Sequence, residues 1–387
     1  MKLIFVSSER YPNGGAAVNR HLAYAKGLNE LGHDITFLLL ENQEWTEKRL
    51  VKDNIEFIQV NQIRKSKFRI QNIINLYKII NNAKHQIEQE RAKLTRIAVV
   101  LLDTDILILN PTLFYLKNMG IKTFHERTEY PAIVAGKSLT KKIKLFIYLH
   151  YTIRKFDGIY VINKALKNYF QKITNERIPI RIINMIVDPS RFEDTKSIIN
   201  SNIISYCGTI EGEKDGVPIL IQAFRLIADE FQEIKLQLIG SLENKRTREK
   251  ITAMVEELGL KNRVILTGLV NRGEIPGLLS DSRILALARP NNKQAEGGFP
   301  TKLGEYLATG NVVVVTSVGE IGEFLTDKKN AFIASPGSAE KFAAKLREAL
   351  LSKDGSKIGL EGKKLVYDKF NYLTQARELE KMFFQLI

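Results

Sequence analysis

Between Ala295 and Glu320 the chain reads AEGGFPTKLGEYLATGNVVVVTSVGE. Two carboxylates, Glu296 and Glu305, and one lysine, Lys302, surround what reads as the start of a short helix. Pro300 suits the first helical position and Gly310 the residue just past the last turn. Glu305 falls one to two turns in, beside Leu303, Tyr306 and Leu307, where a merely solvated acid is out of place. A carboxylate there can accept hydrogen bonds from two neighbouring sugar hydroxyls, such as those of a ribose. The unpaired N–H groups at the helix start, near Thr301 and Lys302, suit a diphosphate, with Gly298 and Phe299 in the turn leading in. SVGEIGE (Ser317 to Glu323) adds a second glycine-rich turn between strand and helix, around Gly319.

Three further segments carry candidate chemistry. In SERYPNGGAAVNRHLA, Gly14 and Gly15 let the backbone approach a ligand at a helix start. This is not the G-x-G-x-x-G dinucleotide fingerprint, and a plain flexible turn reads it about as well. In CGTIEGEKDGVPIL, Lys214 lies between a strand and a helix and can meet phosphate oxygens as a point charge, although lysines at turns are mostly solvated. In FHERTEYP, His125 ends a strand among Glu126, Arg127 and Glu129. It reads equally as a catalytic group or as a satisfied strand-end histidine. Asp103 and Asp105 in DTD are weaker candidates of the same kind.

The elements that must position these residues alternate strand and helix. KLIFVSS, DITFLLL, IEFIQV, RIAVVLL, IKTFHE and DGIYVIN are strands of the first half, with helical periodicity between them. PTLFYLKNMG reads as a helix opened by proline and closed by glycine, and a basic amphipathic helix runs from about Phe68 to Glu90. The pattern restarts with IISYCGT and continues through IKLQLIG, RVILTG and RILALA. Repeated βα units imply parallel sheets with ligands beyond the carboxyl ends of the strands. A chain of 387 residues is too long for one ordinary core. The expected organisation is a domain over 1–185, a linker over 186–200, and a second domain over 201–370. A helix from about 372 to 387 packs back on the first.

One cysteine, Cys207, excludes an internal disulfide framework and points to a reducing, cytoplasmic setting. No secretory signal is read at the N-terminus, and no apolar run approaches the roughly 20 residues that span a bilayer. The net charge of +15 favours a polyanionic partner. Nucleic acid is excluded as that partner, because neither aromatic–basic interleaving nor a helix-turn-helix pattern is present. Basic residues gather between Arg64 and Arg96 and between Lys137 and Lys155. The second group mixes Lys141, Lys142 and Lys144 with Phe146, Ile147, Leu149 and Tyr151, which suits peripheral docking on an anionic membrane.

Taken together, GGFPTKLGEYLATGNVVVVTSVGEIGEFL resembles the signature of retaining glycosyltransferase family 4, in the GT-B superfamily. YPNGGAAVNRHLAYAKGLNELGHDITFL, DGIYVINKALKNYF, IINMIVDPSRF, YCGTIEGEKDGVPILIQAF and VILTGLVNRGEIPGLLSDSRILAL resemble its other segments, in order and over most of the chain. The resemblance implies an α/β GT-B fold of two doubly wound Rossmann-like domains facing across a cleft. It implies a retaining hexosyltransferase that moves a sugar from a nucleotide-diphosphate sugar to a glycan or lipid-linked acceptor, in cell-surface polysaccharide synthesis. No metal or other cofactor is expected. Lys214 then meets the donor diphosphate, Glu305 the ribose, and Gly14, Gly15 and Gly319 the phosphate side. Gly268 and Leu269 lie in the stretch that holds the base. Two positions depart from the family. Thr209 stands where a diphosphate-binding arginine is usual, which Arg289 or Lys302 would replace. Glu296 is one residue out of register with the first glutamate of the family's pair, leaving Gly297 at that position. Lys214, Glu296 and His125 are the catalytic candidates. A nucleotide-sugar 2-epimerase of the same fold and a non-catalytic nucleotide-sugar-binding protein stand as alternatives.

Overall fold

A computed structural model describes residues 1–12, 14–61, 69–92, 96–136, 138–193, 195, 201–210, 214–242 and 244–387. The chain forms two compact units. The first comprises Met1–Ile186 together with Tyr372–Ile387, and the second Val187–Asn371.

Unit 1 is built on eight strands: β1 (Lys2–Ser7), β2 (Asp34–Leu39), β3 (Arg49–Lys52), β4 (Ile55–Gln59), β5 (Ile97–Leu101), β6 (Lys122–Arg127), β7 (Gly158–Val161) and β8 (Ile180–Ile182). Their order is β3-β4-β2-β1-β5-β6-β7-β8, and every pairing is parallel except β3 with β4. The middle strands are buried along their length, as parallel strands covered on both faces must be. Unit 2 contains β9 (Ile203–Cys207), β10 (Lys235–Ile239), β11 (Val264–Gly268), β12 (Ile284–Leu287), β13 (Val312–Thr316) and β14 (Phe332–Ala334), all parallel, in the order β11-β10-β9-β12-β13-β14.

Strand order turns outward in opposite directions between β1 and β5 in unit 1, and between β9 and β12 in unit 2. Connections leaving the two neighbouring strands at such a point diverge and leave a crevice beyond their carboxyl ends. Each unit therefore has one place where the backbone itself makes room for a ligand.

The last helix, Tyr372–Leu386, returns to unit 1 and packs on the first helix, Ala16–Glu30. A Cβ on Gly27 would lie 2.6 Å from the Ala376 Cβ, so only a glycine permits this approach. Leu379, Met382 and Phe383 enter the core of unit 1, and Phe383 meets Phe124 of β6 edge to face at 4.6 Å.

Several local features depart from the sequence reading. Of the segment 186–200, read as a linker, residues 187–193 belong to unit 2. Val187 bridges to Asn371, Asp188 caps the 3-10 turn Pro189–Phe192 with its side chain, and Phe192 is buried; residues 194 and 196–200 lie outside the described residues. Pro111 does not open its helix. The helix Ile106–Asn118 starts five residues earlier, capped by Asp105, and carries Pro111 inside. The basic stretch after Ser138 is an α-helix only over Leu139–Ile147. A π-helical turn, Tyr148–Thr152, and a 3-10 turn, Ile153–Lys155, follow. The strands β3 and β8 had no clear signal, being four and three residues long.

The packing of the returning helix sets an expectation for stability. Phe383 is fully buried, so Phe383→Ala should cost about 3–5 kcal/mol, read as a shift in urea unfolding of unit 1.

Candidate functional site

The crevice of unit 2 is built first by glycines. Gly208, just after β9, has φ +153°, and a side chain there would collide with Lys302 Nζ. Gly216, the N-cap of the helix Val217–Ala228, has φ +69°, and a side chain there would collide with the Ala288 carbonyl after β12. Their absence of a Cβ lets the β9 turn, the end of β12 and the helix Thr301–Thr309 converge.

Asp215 stands at the centre of this convergence and is 9% exposed. Its carboxylate accepts from Lys302 Nζ and, at 3.0 Å, from the Tyr206 hydroxyl. Arg289 Nε lies 3.5 Å from its other oxygen. Lys302 Nζ also donates to the Tyr206 hydroxyl at 3.0 Å and lies 4.8 Å from the centre of that ring. Burial works against the Asp215 charge, but Lys302 and then Arg289 and Tyr206 hold its pKa below the ordinary carboxylate value. Burial pushes the Lys302 pKa down, and Asp215 opposes that. A dry carboxylate with two cations is sustained only because they meet in one place. Among the described residues, Lys302 uses two of its three N–H donors, on Asp215 and Tyr206. The third has no partner there, and the side chain is 18% exposed.

One turn further along the same helix is Glu305. Its Oε1 accepts from Arg191 Nη1 at 2.5 Å, and both side chains are about one-fifth exposed. Arg191 comes from the 3-10 turn Pro189–Phe192 and also donates to the Arg272 carbonyl at 3.3 Å. Among the described residues, Glu305 Oε2 accepts no hydrogen bond. The carboxylate is thus fixed by one oxygen and presents the other. Tyr306, beside it, clamps the helix to β9: its hydroxyl accepts from the Cys207 N–H at 2.6 Å and donates to the Cys207 carbonyl at 3.2 Å. Burial, with Glu305 adding to it, drives the Cys207 thiol up to about 12, so the single cysteine is no nucleophile.

The other candidates of this unit fall around that centre. Pro300 is the N-cap of the helix Thr301–Thr309, and Gly310 ends it at φ +82°. Phe299 is buried against Phe324 and Phe370. Gly319 packs on the Ala295 carbonyl, so the turn after β13 rests on the short helix Lys293–Gly297 that carries Glu296. Glu296 and Lys214 are exposed, and the Lys214 carbonyl accepts from Arg289 Nε at 3.5 Å. The carbonyl of exposed Thr209 accepts from the Tyr206 hydroxyl at 3.1 Å. Gly268 ends β11 at φ +72°, next to Leu269, which is 80% exposed. Gly298 follows the short helix in extended conformation. The residues that sequence reading missed are Asp215, Tyr206 and Arg191. Asp215 adjoined the nominated Lys214, and Arg191 stood in IINMIVDPSRF, so both lay in marked stretches without a reason to be chosen.

In unit 1, Gly14 packs so closely on Val18 and the Arg10 carbonyl that no side chain fits, and Gly15 is the N-cap of the first helix. Asn13 lies outside the described residues. Asp103, after β5, accepts from the Ser8 hydroxyl after β1 and from the N–H groups of Thr104 and Asp105. Asp105 caps a helix and pairs with Lys144. These acids hold loops together.

His125 is corrected here. It is fully buried, with Nδ1 2.6 Å from the Leu101 carbonyl, Nε2 2.9 Å from the Tyr148 hydroxyl, and its ring stacked on Phe156 at 4.5 Å. A histidine with both nitrogens engaged and no exposure packs the sheet, which favours the satisfied strand-end reading over the catalytic one. The cause is strand alternation: His125 points to the face covered by Tyr148 and Phe156, while Glu126 points to the other. There Glu126 accepts from Arg20 Nε at 2.6 Å and sits 2.8 Å from His21 Nε2.

Residues 189–364 match the family model described as Glycosyl transferases group 1. The chain is 30% identical over 181 residues to the putative colanic acid biosynthesis glycosyl transferase WcaI of Escherichia coli K12, covering 46% of this chain and 42% of that protein. It is 26% identical over 201 residues to the capsular polysaccharide biosynthesis glycosyltransferase CapM of Staphylococcus aureus, covering 51% and 50%. The matches thus span half or less of these relatives' lengths. Among solved structures, HepE of Anabaena in complex with UDP-glucose superposes with a TM-score of 0.74 at 14% identity, covering all of both chains. The fold is that of the GT-B glycosyltransferases.

Burial, and then the charge of Arg127, lower the His125 pKa to about 3, against about 6.5 in an unfolded chain. Between those values the unfolded chain binds a proton that the fold refuses. The stability this residue contributes is therefore complete above about pH 6.5 and is lost as pH falls toward 3. In His125→Gln that part of the acid sensitivity should vanish, flattening the plot of unfolding midpoint against pH over this window.

Proposed function

With a group 1 glycosyltransferase domain over residues 189–364 of a GT-B chain as the premise, we propose that the protein transfers a sugar from a nucleotide-diphosphate sugar to a hydroxyl of a glycan or lipid-linked acceptor. The pathway we assign is cell-surface polysaccharide synthesis, and the anomeric configuration is retained. The observation that carries this is the Lys302–Asp215–Arg289 cluster at the strand-order reversal of unit 2, with a Lys302 N–H unpartnered among the described residues and Glu305 one turn away. Lys302 and Arg289 face the donor diphosphate, Lys302 filling the place of the arginine that Thr209 does not supply. Lys214, at the same turn, adds charge from the solvent side. Glu305, held at one oxygen by Arg191, takes a ribose hydroxyl with the other. The complex of HepE with UDP-glucose supports the donor class, and the similarity to WcaI of colanic acid biosynthesis and CapM of capsular polysaccharide biosynthesis supports the pathway.

In the reaction the bond from the sugar C1 to the diphosphate oxygen breaks as the acceptor oxygen bonds to C1 on the same face, and the acceptor proton goes to the departing phosphate. Negative charge develops on the diphosphate, where cations already fixed in a dry site stabilise it without reorganising. The proposal needs no protein nucleophile and no divalent metal. Glu296, exposed on the helix next to the Gly319 turn, stays the candidate for the sugar side.

The acceptor half of the proposal falls to unit 1, acting from the cytoplasmic face of a membrane. Leu139, Ile143 and Phe146 are 73%, 51% and 55% exposed along one stripe of the helix Leu139–Ile147, with exposed Lys141 and Lys142 beside them. Phe114, on a helix that contacts the following π turn, is 67% exposed. Apolar side chains flanked by lysines suit a surface of anionic lipids. No helix among the described residues is long and apolar enough to cross a membrane.

Three measurements test the reading. UDP-, GDP- or ADP-sugars should raise the unfolding midpoint of the wild type, and Lys302→Met and Glu305→Gln should each cut transfer by about 10²-fold or more, in line with the loss of one preorganised electrostatic group. Near-normal transfer by both variants would overturn the site, and full activity in excess EDTA is expected throughout. Sedimentation with anionic liposomes should recover the wild type, while Ile143→Ser combined with Phe146→Ser stays in the supernatant.

A further inference from the structure

Arg127 ends β6, at the carboxyl edge of the unit 1 sheet, two residues beyond the pairing of His125 with Leu101. It is 4% exposed. A guanidinium so buried is normally met by a carboxylate, because an uncompensated charge in a dry site is costly. The acid next to it in sequence is on the opposite face of the strand and is fully engaged by Arg20 and His21. Among the described residues Arg127 forms no ion pair. It donates one hydrogen bond, from Nη2 to the Glu129 carbonyl, at a long 3.4 Å. Its Nε is buried with no hydrogen-bond partner. The guanidinium lies 5.6 Å from the centre of the Tyr148 ring, and its charge reaches Tyr169, whose edge meets Tyr130 at 5.1 Å. The fold thus holds a cation with unused donors at the carboxyl edge of a parallel sheet, the side on which such units take ligands, beside Tyr148 and within electrostatic reach of Tyr169.

We propose that Arg127 anchors an oxyanion, a phosphate or a carboxylate, carried by the acceptor. The planar fork of an arginine matches both groups, and these tyrosines suit the ring of a sugar bearing that charge. In the free protein, part of the binding energy is set aside as a desolvated guanidinium with open N–H groups, and the anion recovers it. The inference rests on the reading that unit 1 receives the acceptor and adds that this acceptor carries an anionic group.

The test uses the full chain in a buffer free of other oxyanions, with UDP present at saturation to fill the unit 2 crevice. Inorganic phosphate, glucuronate and, as the uncharged control, glucose are titrated while the unfolding midpoint is followed. The wild type should be stabilised by phosphate, glucuronate or both, and not by glucose. Arg127→Gln should need at least about tenfold more anion for the same shift, and Arg127→Lys should fall between them. A response to phosphate alone assigns a phosphorylated acceptor, and one to glucuronate alone an acidic sugar. Arg127→Gln should also be no less stable than the wild type without anion, since it removes an unpaired charge. No anion response in the wild type, or an equal response in Arg127→Gln, overturns the proposal, and if Arg127→Gln does not fold the comparison with Arg127→Lys decides. The shift caused by UDP in the same assay reads the unit 2 assignment separately, so failure of one is distinguishable from failure of the other.

Discussion

The arrangement of unit 2 depends on one buried anion. Lys302 and Arg289 leave different elements and neither is well hydrated, so each would be expelled from the crevice without the Asp215 carboxylate between them. Asp215 follows β9 because strand order reverses there and the backbone leaves a space. Gly208 and Gly216 admit the neighbouring cation and carbonyl into that space. Tyr206, the penultimate residue of β9, closes the set by bonding to both Asp215 and Lys302. Asp215 thus works as the keystone of the cation pair, steadying the charge of buried Arg289 and of the partly exposed Lys302.

Unit 1 distributes charge by strand alternation. On β6, Glu126 turns to the first helix and is held by burial-resistant pairing with Arg20 and His21, which brings its pKa down to about 2. His125 and Arg127 turn to the other face, where Tyr148 lies against both. His125 answers by staying neutral, and Arg127 by remaining charged. Three consecutive polar residues thereby become a structural ion pair, a neutral packing group and an underused cation, through a two-residue periodicity alone.

Much of the fold was legible because its signals are local. Buried apolar runs alternating with helical periodicity gave both parallel sheets, and Gly310 marked its helix end. What escaped was short, polar or distant. Arg49–Lys52 forms a strand by pairing with β4 rather than by its own composition. Pro111 looked like a helix opener because the capping role of Asp105, six residues before, is a three-dimensional fact. In the site, helix position nominated Lys302 and Glu305, but their partners Asp215 and Arg191 lie 87 and 114 positions away in the chain. Such pairs have no one-dimensional signature. His125 shows the converse limit: a strand-end histidine facing a ligand and one sealed under Tyr148 and Phe156 have the same neighbours in sequence.

The return of the last helix to unit 1 makes that unit discontinuous, with all of Val187–Asn371 inserted between its two parts. Unit 2 is a single uninterrupted stretch and can complete its core while the chain is still being synthesised. Unit 1 cannot, since Leu379, Met382 and Phe383 leave the ribosome only after the whole of unit 2 and belong to its interior. During synthesis the earlier part of unit 1 must therefore wait with an open apolar groove beside Gly27, in need of protection from premature partners until its closing helix arrives.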